Sequence, residues 1–432
     1  MEKINVLFES SPDYSNNAKA LFEYMNDHYK DKINLYWVFN DNEIYLKYKD
    51  KLNCVLYNSK DFKKLFPKIN IIFTTHGQLI EEKLSNQIYV NLWHGIGPKK
   101  AGYTLDDLKL APQDKKFFLD MRRKTDYMIC PTYFWQYIFT TVFKYNASRV
   151  LPIAYPKLDE IIYSNGKNNL KNILNIDLKE YNKIILYTPT FKKGLGRKDE
   201  NANTKNLFDF EEYDEKQVLD YLEKNNYLLL IKYHPSEETK FQKINHSNVK
   251  YITEKMLKKY DLNINNILNA SDILITDYSS LGVEYTILDK PVIYLDNNIE
   301  QYKKGRGIMF ETGDFWMENK ASNVNELLVT ISNCKKKEIS RHKKIFFENL
   351  KDGGCENIIN YFFTKSFKLR KNIVPYRDEY DELLDDYNKL LKKSLKNDLV
   401  IKDLKIKLDL VYNSKSWKIL EKLRKIKRKI RK

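Results

Sequence analysis

Four cysteines in 432 residues, Cys54, Cys130, Cys334 and Cys355, stand far apart and form no Cys-x-x-Cys pair. That spacing argues against a disulfide framework and a structural zinc site, and it predicts a reducing compartment. No run reaches the roughly 18 uncharged apolar residues that a membrane span needs. Met1-Glu2-Lys3-Ile4-Asn5 enters a strand-like run without the charged and apolar regions of a signal peptide. The expected location is therefore the cytoplasm, free or bound to a membrane from that side. Walker A, a His-rich metal cluster, a Gly-x-Ser-x-Gly elbow and a strand-end Asp-x-Asp are all missing. No cofactor is predicted, and Mg dependence stays open.

Apolar residues are plentiful, at 42% with 14% aromatic, so the chain can bury a core and disorder is not expected. Its length calls for two domains plus an appendage. The net charge of +17 is concentrated at one end, where residues 413–432 hold ten Lys or Arg against Glu421 alone. A tail of that kind implies a polyanionic partner, either an anionic membrane or nucleic acid.

Strand-like and helix-like segments alternate through the first 155 residues. Ile4–Phe8, Ile33–Phe39, Cys54–Tyr57, Ile69–Phe73, Ile88–Leu92 and Tyr127–Cys130 read as strands. Ala18, Leu21, Phe22 and Met25 mark an amphipathic helix. After the polar stretch Ser164–Leu170 the pattern restarts with Ile184–Tyr187, Leu228–Ile231, Val249–Ile252, Ile273–Ile275 and Val292–Leu295. Such alternation predicts α/β units with mostly parallel sheets covered on both faces. Ser340–Phe363 reads as a long closing helix interrupted at Gly353-Gly354. Beyond Pro375, Tyr380–Leu410 reads as a helix with an imperfect heptad, Leu383 and Leu390 in phase and Asn397 next. Ser416–Lys432 puts Trp417, Leu420, Leu423, Ile426 and Ile430 on one face, with Lys425, Arg428 and other cations around it. A basic amphipathic helix with one Trp suits an anionic bilayer. A partner-binding helix and a solvated tail are the alternatives.

Four strand ends carry reactive groups. In Ala270-Ser271-Asp272-Ile273-Leu274-Ile275-Thr276-Asp277-Tyr278-Ser279-Ser280 an apolar run stops at hydroxyls and an acid, and Leu281–Leu288 reads as the helix that follows. Unpaired N–H groups and hydroxyls at such a turn suit a phosphate, and the same residues suit a helix cap. Val90-Asn91-Leu92-Trp93-His94-Gly95-Ile96-Gly97-Pro98-Lys99-Lys100 ends a strand at a histidine, then adds glycines for close approach and two cations. A core histidine beside Trp93 is the plain alternative. Leu229-Leu230-Ile231-Lys232-Tyr233-His234-Pro235 is a second strand that ends in histidine. Ile184-Ile185-Leu186-Tyr187-Thr188-Pro189-Thr190-Phe191-Lys192-Lys193 ends in hydroxyls and cations. Carboxyl ends of parallel strands are where such sheets bind ligands. Asp106-Asp107 reads as acids at a helix start.

Trp93-His94-Gly95, Tyr187-Thr188-Pro189-Thr190-Phe191-Lys192, Lys232-Tyr233-His234-Pro235, Ser271 to Ser280 and Lys290-Pro291-Val292-Ile293-Tyr294-Leu295 occur in this order. As a set they resemble the CDP-glycerol glycerophosphotransferase family of teichoic-acid and capsule primases and polymerases, from about Asn5 to Phe363. The resemblance implies a GT-B-like α/β fold: two Rossmann-like domains facing a central cleft that holds CDP-glycerol. The expected division is 1–160 as acceptor domain, 171–365 as CDP-donor domain and 376–432 as helical tail. Together with the strand-end reading it makes His94 and His234 the expected catalytic residues. Thr190, Lys192, Thr276, Asp277, Ser279 and Ser280 are expected on the donor phosphates, and Gly95, Lys99 and Lys100 on the acceptor or phosphate side. Ile96-Gly97-Pro98 departs from the family's usual Thr-Pro. Lys157 and Lys192 stand where Arg is frequent, keeping charge and losing bidentate geometry. The long N-terminal extension of some polymerases is missing, which favours a primase-like or short capsule enzyme.

The expected reaction is attack of an acceptor hydroxyl on the donor's β-phosphorus with loss of CMP, His94 acting as base and no metal ion required. CDP-glycerol or CDP-ribitol is the expected donor and a lipid-linked saccharide or polyol phosphate the acceptor, at the inner face of the cell membrane, with self-association through the tail. A GT-B glycosyltransferase using a nucleotide sugar is the nearest rival. A non-catalytic basic protein for membrane or nucleic acid is the rival from another class.

Overall fold

The apolar runs become short parallel strands because connecting helices bury them on both faces. The computed structural model describes residues 3–95, 97, 99–105, 112–190, 206–235, 238, 243–296, 299–300, 303, 307–310, 319–334, 347, 353–376, 383, 386–387, 398–414 and 417. The first sheet consists of β1 (Asn5–Phe8), β2 (Asn34–Phe39), β3 (Cys54–Leu56), β4 (Ile71–Thr74), β5 (Ile88–Asn91), β6 (Tyr127–Cys130) and β7 (Val150–Pro152). Its order is β3-β2-β1-β4-β5-β6-β7. The second consists of β8 (Lys183–Thr188), β9 (Tyr227–Ile231), β10 (Val249–Tyr251), β11 (Ile273–Thr276), β12 (Val292–Leu295) and β13 (Asn319–Ala321), ordered β10-β9-β8-β11-β12-β13.

Both sheets are doubly wound. Strand order reverses between β1 and β4 in the first and between β8 and β11 in the second, and ligands bind at the carboxyl ends beside such reversals. Two strands escaped the sequence reading. β7 and β13 are three-residue edge strands, and Asn319-Lys320-Ala321 has no apolar run to betray it.

One hydrophobic cluster spans both sheets, and each sheet packs a further cluster of its own. The shared cluster holds Phe8, Phe22, Trp37 and Phe73 of the first half and Leu186, Leu230 and Leu274 of the second, joined through Tyr155, Leu158 and Ile161. Both sheets lie in one compact unit, Met1–Tyr376, and Arg377–Lys432 forms a second. Of the closing helix expected over 340–363, Gly354–Phe362 is described as helix, and residues 335–346 and 348–352 lie outside the described residues. That helix returns to the first sheet. Phe362 meets Phe73 and Tyr127 edge-on, the N–H groups of Gly354 and Cys355 donate to the Asp159 carboxylate, and the hydroxyls of Tyr24 and Tyr29 donate to Glu356.

In the second unit Asp398–Asn413 is helical, and Leu383, Ile406, Leu410 and Val411 are exposed. Trp417 is described, whereas Leu390, Asn397, Leu420, Leu423, Lys425 and Arg428 lie outside the described residues. Among the described residues no helix is long and apolar enough to cross a membrane.

Candidate active site

His94 reaches its position through a strained turn. After β5, Trp93 takes φ 54°, a left-handed conformation that is costly for a bulky residue and persists only where its surroundings enforce it. Here the Asn91 side chain accepts from the Trp93 N–H (2.8 Å), and Asn17 Nδ2 donates to the carbonyls of Leu92 and Trp93. The indole packs edge-on against Phe139 and Phe143. The result turns the next residue, His94, away from its strand and toward the second sheet.

The His94 ring lies flat on His76, with centroids 3.9 Å apart and planes 5° from parallel. His76 follows β4, so both imidazoles sit beside the reversal in the first sheet. Burial, His76, Lys157 and Lys99 together push the His94 imidazole well below the ordinary histidine range, so it is neutral at pH 7. Burial and the Lys157 charge push His76 down to about 4. His94 Nδ1 is buried and has no hydrogen-bond partner among the described residues. A neutral imidazole with an uncommitted nitrogen can accept a proton.

The glycines beside His94 bring its loop onto the second half. A Cβ at Gly95 would lie 3.0 Å from Glu284 Oε1 and 3.1 Å from Ser280 Oγ. One at Gly97 would lie 3.4 Å from Ser280 Cα. Ser280–Tyr285 is the helix after β11, continued by a turn over Thr286–Leu288. The histidine turn of the first sheet therefore rests on Ser280 of the second. Farther along, Lys99 bridges Ile308, and the Lys100 N–H donates to the Gly307 carbonyl. His234 is pushed down by burial and Lys232, with Glu254 and Glu238 opposing. The Lys99 charge lowers both His234 and His94. Lys192, Ile96, Pro98 and the Asp106-Asp107 pair lie outside the described residues.

Three of the residues expected on the donor phosphates bond to the protein itself in this structure. The Asp277 carboxylate accepts the Thr190 N–H (2.9 and 3.0 Å) and also its hydroxyl, and the buried Thr276 hydroxyl donates to the Thr188 carbonyl (2.7 Å). These bonds span the β8/β11 reversal and engage the hydroxyl protons of both threonines within the protein. The Ser279 hydroxyl accepts the Leu281 N–H as a cap and keeps its own proton to donate, and Ser280 faces Gly95.

Sequence reasoning passed over His76, Glu284 and Glu9, and met Lys157 only as a cation where Arg is frequent. His76 had the same signal as His94, a strand followed by His-Gly. Lys157 and Glu284 form a buried ion pair (2.6 Å), and Lys157 Nζ also donates to the His94 carbonyl (2.7 Å). Glu9, after β1, is fully buried. Asn40 donates to its Oε1, and its Oε2 has no partner among the described residues. Burial, partly offset by the Asn40 bond, raises its carboxyl to about 8. Folding therefore retains a proton that the unfolded chain gives up near pH 4.5. The stability Glu9 contributes is full below about 4.5 and is lost as pH rises through 8. Glu9→Gln is expected to leave thermal unfolding at pH 5 nearly unchanged and to raise stability at pH 9 by on the order of 4 kcal/mol. Melts across that range test it, and equal gains at both pH values would contradict it.

Among the described residues no group of three or more His, Cys, Asp or Glu is arranged to hold a metal ion. A family model for CDP-Glycerol:Poly(glycerophosphate) glycerophosphotransferase matches residues 1–351. The chain belongs to that family. It is accordingly a glycerophosphotransferase, and the nucleotide-sugar and non-catalytic readings fall away. The teichoic acid glycerol-phosphate primase of Bacillus subtilis (strain 168) is 28% identical over 305 residues, 68% of this chain and 74% of that one. A teichoic acid poly(glycerol phosphate) polymerase from Staphylococcus epidermidis is 26% identical over 314 residues, 69% of this chain and 41% of its own. A variant of the wall teichoic acid polymerase TagF superposes with a TM-score of 0.68 at 22% identity, over 83% of this glycerophosphotransferase and 88% of that chain. That likeness establishes the GT-B-like fold.

Proposed function

We propose that this glycerophosphotransferase moves the glycerol-phosphate unit of CDP-glycerol onto a hydroxyl of a lipid-linked teichoic-acid or capsule acceptor. The acceptor oxygen attacks the β-phosphorus, the bond to CMP breaks, and the acceptor's proton passes to His94. The supporting observation is the seating of the His94 turn on Ser280, which joins a neutral imidazole from one sheet to hydroxyls from the other. In this reading Ser279 and Ser280 donate to the donor's phosphates. His234, Lys99 and Lys192 balance the charge of departing CMP, with Lys100 at the acceptor side. Thr190, Thr276 and Asp277 hold the β8/β11 frame in which those groups stand. The deciding experiment incubates the protein with labelled CDP-glycerol, CDP-ribitol or a UDP-sugar and lipid-linked acceptors, then sizes the products. Transfer from CDP-glycerol supports the reading, and transfer from the UDP-sugar alone contradicts it.

A lipid-linked acceptor places the enzyme at the inner face of the membrane, where residues 413–432 supply a basic amphipathic segment. Deleting them is expected to abolish sedimentation with anionic vesicles while sparing turnover of a soluble acceptor analogue. Vesicle binding that survives the deletion would assign the tail another task.

A further inference from the structure

Lys157 and Glu284 are 127 positions apart and come from opposite halves of the fold. Lys157 belongs to the helix Pro156–Tyr163 after β7, and Glu284 to the helix Ser280–Tyr285 after β11. Their side chains are 5% and 2% exposed, and Nζ lies 2.6 Å from Oε1. A second Lys157 bond goes to the His94 carbonyl at 2.7 Å, and the Lys157 N–H donates to Asn17 Oδ1. Asn17 is the residue whose amide group holds the carbonyls of Leu92 and Trp93. One ammonium therefore connects the His94 main chain to the helix that carries Ser280.

We propose that Lys157 and Glu284 are positioning residues, a buried clamp that sets His94 against the phosphate-binding serines. This rests on the reading of His94 as base. Stability alone explains the pair poorly. Desolvating two charges costs about as much as their attraction returns, and an apolar pair of similar volume is often as stable. What an apolar pair cannot supply is the donor to the His94 carbonyl. A loop misplaced by about 1 Å lowers turnover by about 100-fold.

Removing one partner strands a buried charge and threatens folding, so the decisive variant removes both. Lys157→Met/Glu284→Leu is expected to melt near the wild-type temperature, to bind CDP-glycerol with little change in KM, and to lose about 100-fold in kcat. A double variant that is stable and fully active would overturn the proposal. A second measurement does not depend on turnover. The groups acting on the His94 ring are His76, stacked on it, Lys157 and Lys99 as cations, and the Thr75 backbone, whose hydrogen bond opposes them. Loss of the Lys157 charge in the double variant Lys157→Met/Glu284→Leu should raise the His94 titration midpoint followed by NMR, whereas Lys157→Arg alone should leave it in place and keep kcat near wild type. An unmoved midpoint would contradict the contact. Should the midpoint move while His94→Ala itself turns over normally, the clamp stands and the assignment of His94 as base fails.

Discussion

His94→Ala is expected to lower kcat for glycerol-phosphate transfer by about 10²–10⁴-fold, the usual contribution of a positioned general base, while CDP-glycerol still binds. The imidazole meets the demands of that task in unusual surroundings. Burial and three neighbouring groups hold it below its ordinary range, so the free enzyme keeps an unprotonated His94 well into mild acid. The anionic donor should reverse part of that shift, because negative phosphate beside the ring favours its protonated form. The acid limb of kcat/KM, which reports the free enzyme, is therefore expected at lower pH than the acid limb of kcat. Stopped assays with labelled donor across pH 4 to 9 measure both. Coincident limbs, or an alanine variant with wild-type turnover and weakened donor binding, would move the base elsewhere.

Gly354→Ala is expected to cost about 3 kcal/mol or more of stability, the upper range for overpacking. A methyl group there would lie 2.3 Å from the Tyr155 carbonyl oxygen, 2.5 Å from its carbon and 2.8 Å from the Ala154 oxygen. All three are backbone atoms, which cannot swing aside as a long side chain can. The helix would have to back away, breaking the Gly354 and Cys355 bonds to Asp159 and lifting Phe362 from Phe73. Since that helix joins the end of the second half to the first sheet, the loss should appear as one cooperative drop in melting temperature. A shift under about 2 °C would show that the junction yields readily.

The α/β architecture was legible because parallel strands are buried on both faces and so leave apolar runs between polar helices. Where burial was one-sided or brief, as at Asn319–Ala321, the signal vanished. His94 and His234 were legible as strand-end histidines, and Ser279 and Ser280 as hydroxyls at a strand-to-helix turn. The pairing of Lys157 with Glu284 was not, since a helix charge names no partner 127 residues away. Thr190, Thr276 and Asp277 illustrate the converse. Their types suited a phosphate, yet Asp277 accepts the N–H and hydroxyl of Thr190 and the Thr276 hydroxyl donates to the Thr188 carbonyl across the β8/β11 reversal. Composition at a strand end reports which chemistry is available, and only the fold reports which groups are already occupied.

The stacking of His76 on His94 has a consequence for proton counting. Two parallel imidazoles with centroids 3.9 Å apart in a dry site repel strongly when both are charged. The pair, unprotonated at neutral pH, should take up at most one proton as pH falls and titrate as one unit, its apparent constants belonging to neither ring alone. Log rate should accordingly fall with unit slope, rather than slope two, where the pair first takes up a proton. Each proton lifted from an acceptor must leave His94 before the next acceptor arrives, because the neighbouring ring offers no second berth.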